Sequence, residues 1–257
     1  QHGHAAYGNS LLADLAATRS RLDTFIYSDP AAKHVEPGQS TWEVSTELQK
    51  TYAPRGREQW LYGEVVGLGE LLGALLAVPA RVGSPDELVL DIGSGTGRFV
   101  AFTALAGVCA CGQEFVPERH AEAVAARARC TPAERERIDL RCEDALATTS
   151  PLDRATRVFC NNAVWPDHLN AQVAAHVAAS APHLAVFATM KELSSDAAQA
   201  ADLILTRRSA VEVSWDKTGW PLFLYEPRAA RPDQAAEPTD DEAFLAALES
   251  STGFSMC

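Results

Sequence analysis

At 257 residues, 47% hydrophobic and 22% charged, the chain is long enough to bury a full core as one large domain and has the composition of an ordinary globular protein. No apolar run approaches the roughly 20 residues that a helix needs to cross a bilayer, so no membrane association is expected, and the first residues show neither a basic-then-apolar signal nor an arginine-rich transit pattern. A net charge of −12 sets the bulk surface against nucleic acid and favours basic partners.

In chain order, Leu11, Leu12, Leu15, Leu22, Phe25 and Ile26 recur at helical spacing, which predicts an amphipathic helix over Ser10–Tyr27, stopped by Asp29-Pro30. A loop to Ser40, a short helix over Trp42–Gln49 and a basic, turn-prone connector at Tyr52–Arg57 come next. Residues 1–59 are read as an N-terminal helical region appended to the rest, not an independent domain. Leu61, Val65, Leu68, Leu72 and Leu75 then predict a helix running from Trp60 towards Pro79. Gly63, Gly67, Gly69 and Gly73 lie inside it, each costing about 1 kcal/mol against alanine, so close packing should offset them.

The segment Glu87-Leu-Val-Leu-Asp91-Ile-Gly93-Ser-Gly95-Thr-Gly97-Arg98 organises the rest of the chain. Leu88–Leu90 has the length and branching of a buried strand, three glycines break it, and a helix over Arg98–Ala106 comes next. A second strand over Val108–Gly112 leads to Glu114. A strand, a glycine turn, a helix and a later acid suit a nucleoside ligand, because bare backbone admits close approach and a carboxylate can accept both ribose hydroxyls. The spacing is Gly-x-Gly-x-Gly, not the Gly-x-Gly-x-x-Gly of a dinucleotide site, and Asp91 would repel a pyrophosphate. The sulfonium and ammonium of S-adenosylmethionine (SAM) are cationic and would be favoured there. Asp-x-Gly-x-Gly-x-Gly thus resembles motif I of the class I SAM-dependent methyltransferases.

A helix over Glu118–Arg129, led by Pro117, precedes a capping-box pattern at Thr131-Pro-Ala-Glu134. A third strand, Ile138–Cys142, ends at Glu143-Asp144, and a fourth runs from Arg157 to Asn161-Asn162, ahead of Trp165-Pro166. Next come a helix over Asp167–Ser180, a strand over Leu184–Thr189 and a helix over Ser195–Leu205. Val211–Trp215 and Pro221–Tyr225, joined at Asp216–Gly219, form a closing hairpin. The expected fold is α/β, a Rossmann-like seven-stranded class I methyltransferase sheet over residues 60–226. Residues 227–257 form an acidic flexible tail with a short helix near Ala243–Leu248. Cys109, Cys111, Cys130, Cys142, Cys160 and Cys257 have neither staple nor metal-ligand spacing, which points to a reducing compartment, cytoplasm or nucleus, and to no metal. His168 and Lys191 read as surface residues.

Ligands of this fold lie beyond the carboxyl ends of the parallel strands, where Asn161 and Asn162 could orient an acceptor amine and Trp165 could exclude water. Together with Tyr62-Gly63-Glu64, Gly112-Gln-Glu114 and Val213-Ser-Trp215, these motifs resemble, over roughly Trp60–Tyr225, the DOT (disruptor of telomeric silencing) family of non-SET methyltransferases, which modify a lysine in the globular core of histone H3. The resemblance implies a protein-lysine N-methyltransferase using SAM, with a basic protein, histone H3 first, as partner. It implies that Tyr62, Glu64 and the turn of Asp91, Gly93, Ser94, Gly95 and Gly97 bracket the methionine end. Glu114, with Phe115 beside it, would hold the ribose, and Asp144 (or its neighbour Glu143) with Ala145 the adenine. Asn161 or Asn162 would face the transferring methyl, Trp165 would wall a lysine channel, and Phe223 or Tyr225 would add a second aromatic wall.

The chain departs from the family in placing Ala163 where an aromatic follows the Asn pair. It also has no Lys/Arg-rich extension to neutralise phosphates, which makes direct DNA binding doubtful. The alternative is a small-molecule methyltransferase on the same fold, its N-terminal helices acting as a substrate lid and Trp42, Trp60 and Trp165 lining the site. A non-catalytic SAM-binding relative is the third reading.

Overall fold

The computed structural model describes residues 15–26, 65–80, 87–214, 216 and 218–230; Trp42, Trp60, Tyr62, Glu64, Trp215 and residues 231–257 of the expected acidic tail lie outside them, while Pro227 closes the last strand and Arg228–Ala230 form a 3-10 turn. β1 (Leu88–Ile92) is buried along its whole length, as a strand is when it has neighbours on both edges and layers on both faces. It pairs in parallel with β2 (Cys109–Glu114) on one side and β4 (Arg157–Cys160) on the other. β3 (Ile138–Cys142) adds to β2 and β5 (Val186–Thr189) to β4, both in parallel. β7 (Trp220–Pro227) runs antiparallel between β5 and β6 (Leu203–Val211), so the sheet order is β3-β2-β1-β4-β5-β7-β6. The order of the strands switches between β1 and β4, which run parallel, and ligands of open α/β sheets bind beyond the carboxyl ends of the strands at such a switch point.

Alternation along the strands divides the core in two. Val89, Phe159, Val186, Leu222 and Leu224 face α1 (Leu68–Leu76) and α2 (Arg98–Leu105), and Ala126 of α3 (Pro117–Ala128) joins that layer. Leu88, Leu90, Val158, Phe187, Phe223 and Tyr225 face α5 (Asp167–Ser180) and α6 (Ser195–Ala200). The helix over residues 15–26, whose last turn Leu22–Ile26 is π-helical, buries Leu15, Leu22 and Ile26 in the first layer. Ion pairs tie it down: Asp23 to Arg98 at the start of α2, and Arg21 to Glu134 of α4 (Pro132–Arg135). Thr131 and Glu134 complete the capping box reciprocally at α4.

Three elements differ from the sequence expectation. α1 begins at Leu68, because Val65 bridges Val213 and the N–H groups of Val66 and Gly67 both donate to the Glu212 carbonyl. A Cβ on Gly67 would stand 2.9 Å from Glu212 N, so that glycine permits a close approach, whereas a Cβ on Gly73 would meet nothing within 4 Å and its cost has no packing offset. The predicted helix to Leu205 ends at Ala200, and Leu203–Leu205 open β6, which therefore lies ahead of the expected Val211–Trp215 strand. No helix among the described residues is long and apolar enough to cross a membrane.

Candidate active site

The β1–α2 connection is a backbone cradle. Gly93, Gly95 and Gly97 have φ of +76°, +57° and +77°, a region that side chains make costly. Gly93 N–H and Ser94 N–H both donate to the Gln113 carbonyl of β2, at 2.8 and 3.0 Å, and Gly97 N–H donates to Ser94 O. Gly97 is the left-handed cap of α2 and packs so tightly that a Cβ would stand 2.9 Å from Ala123 Cβ. Gly95 is the opposite case: a Cβ there would meet nothing within 4 Å, so its backbone fronts open space.

Two carboxylates underlie the cradle. Glu114, at the end of β2, accepts from Gly95 N–H through Oε2 and from Val116 N–H through Oε1, both at 2.7 Å. Phe115 N–H also bonds this carboxylate, and a carboxylate's remaining acceptor capacity can take a further donor such as a ribose hydroxyl. Burial pushes the Glu114 carboxyl above its ordinary range, against the pull of these N–H groups and of Arg119. Asp91, 5% exposed, is pushed up to about 8, first by burial and then by the charge of Glu114. Among the described residues Asp91 has no ion pair, so a cation arriving here would relieve two crowded acids.

At the end of β3, Glu143 is drawn back to β2, accepting from Gln113 Nε2 at 2.9 Å. Asp144 accepts from Leu146 N–H at 3.0 Å, which shapes the loop around buried Ala145. Phe115, half-buried, succeeds Glu114 at the same rim.

The acceptor side corrects two expectations. Asn162 is 2% exposed and its amide is fully committed. Its Oδ1 accepts from Met190 N–H and Lys191 N–H, both at 2.8 Å, while Nδ2 donates to Asn170 Oδ1 and Lys191 O. It is a clamp between β4, α5 and the loop after β5, and cannot also orient an acceptor. Asn161, half-buried at the β4 terminus, is the amide of the pair that stands at the strand end. Tyr225 is 1% exposed, with its hydroxyl accepting from Leu193 N–H at 2.9 Å and burial pushing its phenol up, so it is a core pillar and not a channel wall. Of the two aromatic alternatives, Phe223 is the one at the level of the strand ends, opposite Thr189 of β5. Trp165 is buried, with its Cζ2 3.9 Å from where a Gly93 Cβ would be, which brings the indole against the cradle.

Lys191, read from sequence as surface, stands at this same edge. Its Nζ donates to Trp165 O at 3.0 Å and lies 2.7 Å from Asp167 Oδ1. Only its position just after β5 signalled this, since its partners come from α5 and the loop before it.

The seven strands, their order and the cradle at the carboxyl edge define the class I methyltransferase fold. Sp1610 of Streptococcus pneumoniae, proposed as a tRNA (m1A22) methyltransferase, superposes with a TM-score of 0.50 at 14% identity over 72% of this chain and 78% of that one. The magnesium protoporphyrin IX methyltransferase ChlM of Synechocystis PCC 6803, with bound SAH, gives 0.50 at 15% identity over 70% and 95%. No protein-family model matches the sequence, and no curated protein sequence matches it. At such identities the likeness is one of fold.

Proposed function

We propose that the chain is a SAM-dependent methyltransferase whose acceptor is a small molecule. The observation that carries the cofactor is the pair of buried carboxylates, Asp91 and Glu114, beside a glycine cradle open at Gly95. A phosphate-bearing ligand would be repelled by them, whereas a sulfonium and an ammonium are attracted. Asp91 and the turn would hold the methionine end, Glu114 the ribose, and Asp144 with Ala145 the adenine. When bound, SAM supplies a methyl group already activated for displacement.

The work left to the protein is orientation and exclusion of water. Trp165 closes the edge over Gly93, Phe223 lines it from β7, and the Asn161 amide oxygen accepts from the N–H or O–H of an incoming acceptor. Of the two amides and two aromatics offered as alternatives at the acceptor, Asn162 and Tyr225 have their polar atoms bound inside the protein, which leaves Asn161 and Phe223 to meet it. ChlM, named for a porphyrin acceptor, also places a small molecule on this fold. The five described cysteines are free thiols, which suits the reducing compartment, cytoplasm or nucleus, that the sequence suggested.

Calorimetry with SAM tests the first half: binding is expected, and Gly95→Arg should abolish it by filling the open space. Incubation with methyl-labelled SAM and, separately, a small-molecule extract, nucleosomes and free histones tests the second. Label in the extract is expected. Label on histone H3 would reinstate the protein-lysine reading, and SAM binding without label anywhere would make the chain a non-catalytic relative.

A further inference from the structure

α2 starts without the groups that ordinarily settle the first turn of a helix. Its cap, Gly97, has no side chain to accept from that turn, the turn contains no acid, and its first residue is a cation, Arg98. The N–H groups there carry partial positive charge, so a carboxylate is attracted to this place and a guanidinium is repelled. The same turn closes one end of the cradle. Ala101 N–H donates to Gly97 O at 2.8 Å, Gly97 N–H to Ser94 O at 2.9 Å, and Ser94 N–H to Gln113 O at 3.0 Å. Loosening of the first turn therefore passes into the glycine backbone that fronts the ligand.

The missing negative charge comes from 75 residues earlier in the chain. Asp23 Oδ1 accepts from Arg98 Nη2, and Asp23 Oδ2 accepts from Arg19 Nε at 2.6 Å. Arg19 in turn donates through Nη1 to Val66 O, beside the bridge between Val65 and Val213. One carboxylate thus stands between two guanidiniums, steadied by the neighbour on its own helix and turned towards α2. The side chains of Arg98 and Asp23 are 17% and 30% exposed, which shelters the pair from the screening that makes surface ion pairs weak. The second ion pair of this helix, Arg21 to Glu134, binds α4 ahead of β3, at the opposite edge of the sheet from the cradle.

Building on the methyltransferase reading, we infer that Asp23 is a positioning residue for the cofactor: acting through Arg98, it supplies the charge that the first turn of α2 lacks and keeps Gly97 seated, so that the cradle is formed before the ligand arrives. Burial of Leu15, Leu22 and Ile26 sets the N-terminal helix in place, and its acid then completes the turn. The helix is part of the binding machinery and not only a cover for the core. Without the Asp23 charge the Arg98 guanidinium weighs against the positive end of α2, the turn frays, and binding has to restore it.

The test uses the whole chain, and calorimetry of S-adenosylhomocysteine on the parent comes first. No binding there would sink the methyltransferase reading and this inference with it; binding there confines every later failure to the inference. Asp23→Asn should then weaken S-adenosylhomocysteine about fivefold, the effect of one charge at a helix terminus. It should also speed amide exchange over Arg98–Ala101, read by mass spectrometry, and bound ligand should restore protection. Asp23→Glu should keep most of the affinity. Arg21→Gln cuts the other ion pair of the same helix, and should change affinity by less than about twofold and leave exchange over Arg98–Ala101 alone, whatever it does to melting temperature. In an Arg98→Met background, Asp23→Asn should weaken binding less than it does in the parent. Equal losses of affinity from Asp23→Asn and Arg21→Gln, an Asp23→Asn protein with unchanged affinity and exchange, or an undiminished effect in the Arg98→Met background would each overturn the inference.

Discussion

Gly112 lies in β2 directly beneath the glycine cradle, and alanine there is the sharpest test of how the turn is built. An added Cβ would stand 2.6 Å from Ser94 Oγ, 2.9 Å from Ser94 Cβ and 2.9 Å from Val100 Cγ2. Neither side can retreat cheaply: Val100 is buried in α2, and Ser94 is tethered by its N–H to Gln113 O. Overpacking of this kind costs about 1–3 kcal/mol, and three simultaneous contacts put Gly112→Ala near ~2 kcal/mol. For a domain of this size that lowers the melting temperature by about 4–8 °C. If the strain is released by pushing the turn outward, cofactor binding must restore the turn, and the same ~2 kcal/mol weakens SAM by about 30-fold. Differential scanning fluorimetry reads the first effect and calorimetry the second. Ser94→Gly removes two of the three contacts, so in the Gly112→Ala background it should recover much of both losses, measured against Ser94→Gly alone. A Gly112→Ala protein that melts within about 1 °C of the parent and binds SAM unchanged would refute the account of the cradle.

Other substitutions separate the roles of neighbouring residues. Asp91 has a folded value near 8 against an ordinary 3.8, so the stability it lends is complete below 3.8 and is lost as pH rises through about 8; Asp91→Asn should flatten the decline of melting temperature over that window and remove SAM binding. In the parent, SAM should bind more tightly as pH rises through the same range, with proton release seen as a buffer-dependent calorimetric enthalpy. Arg157→Met removes a buried guanidinium that donates to Leu75 O and Val78 O at the end of α1 and pairs with Glu87; two stranded carbonyls predict a loss of about 2–4 kcal/mol by chemical denaturation. Asn161→Ala should lower turnover while leaving SAM affinity in place, and Asn162→Ala should lower melting temperature, because four hydrogen bonds go with it. Tyr225→Phe strands the Leu193 N–H and should cost about 1–3 kcal/mol of stability with little change in SAM affinity.

Where chain-local chemistry decides an element, the sequence displayed it. Ile138–Cys142 and Asp167–Ser180 form the elements expected with the expected ends: the first comes after a capped turn, and the second starts where Pro166 fixes the backbone ahead of it. The opening of β6 was concealed for a reason of the opposite kind. Ala197, Ala201 and Leu205 share a helical face, so Leu203–Leu205 reads as a last helical turn. Pairing with β7 overrides that preference, as cross-strand contact commonly does. Arg207-Arg208 and the register shift between Leu205 and Arg207 then interrupt the alternation that would have marked the strand.

The same division runs through the site. The cradle and its acids lie within one strand–turn–helix–strand unit, and Gly95 finds Glu114 only 19 residues away. The acceptor side is assembled from segments far apart in the chain: Asn162 meets Met190 across 28 residues, and Leu193 meets Tyr225 across 32. Asn161 and Asn162 are therefore interchangeable in sequence and quite different in space. The amide with reactive-looking chemistry is spent on scaffold, while Lys191, unremarkable in the sequence, is delivered to the edge by that scaffold. Chemistry at this edge belongs to the polar atoms that face outward once the backbone of the 190–193 loop has been satisfied, and satisfying it takes Asn162, Thr189, Trp220 and Tyr225 together.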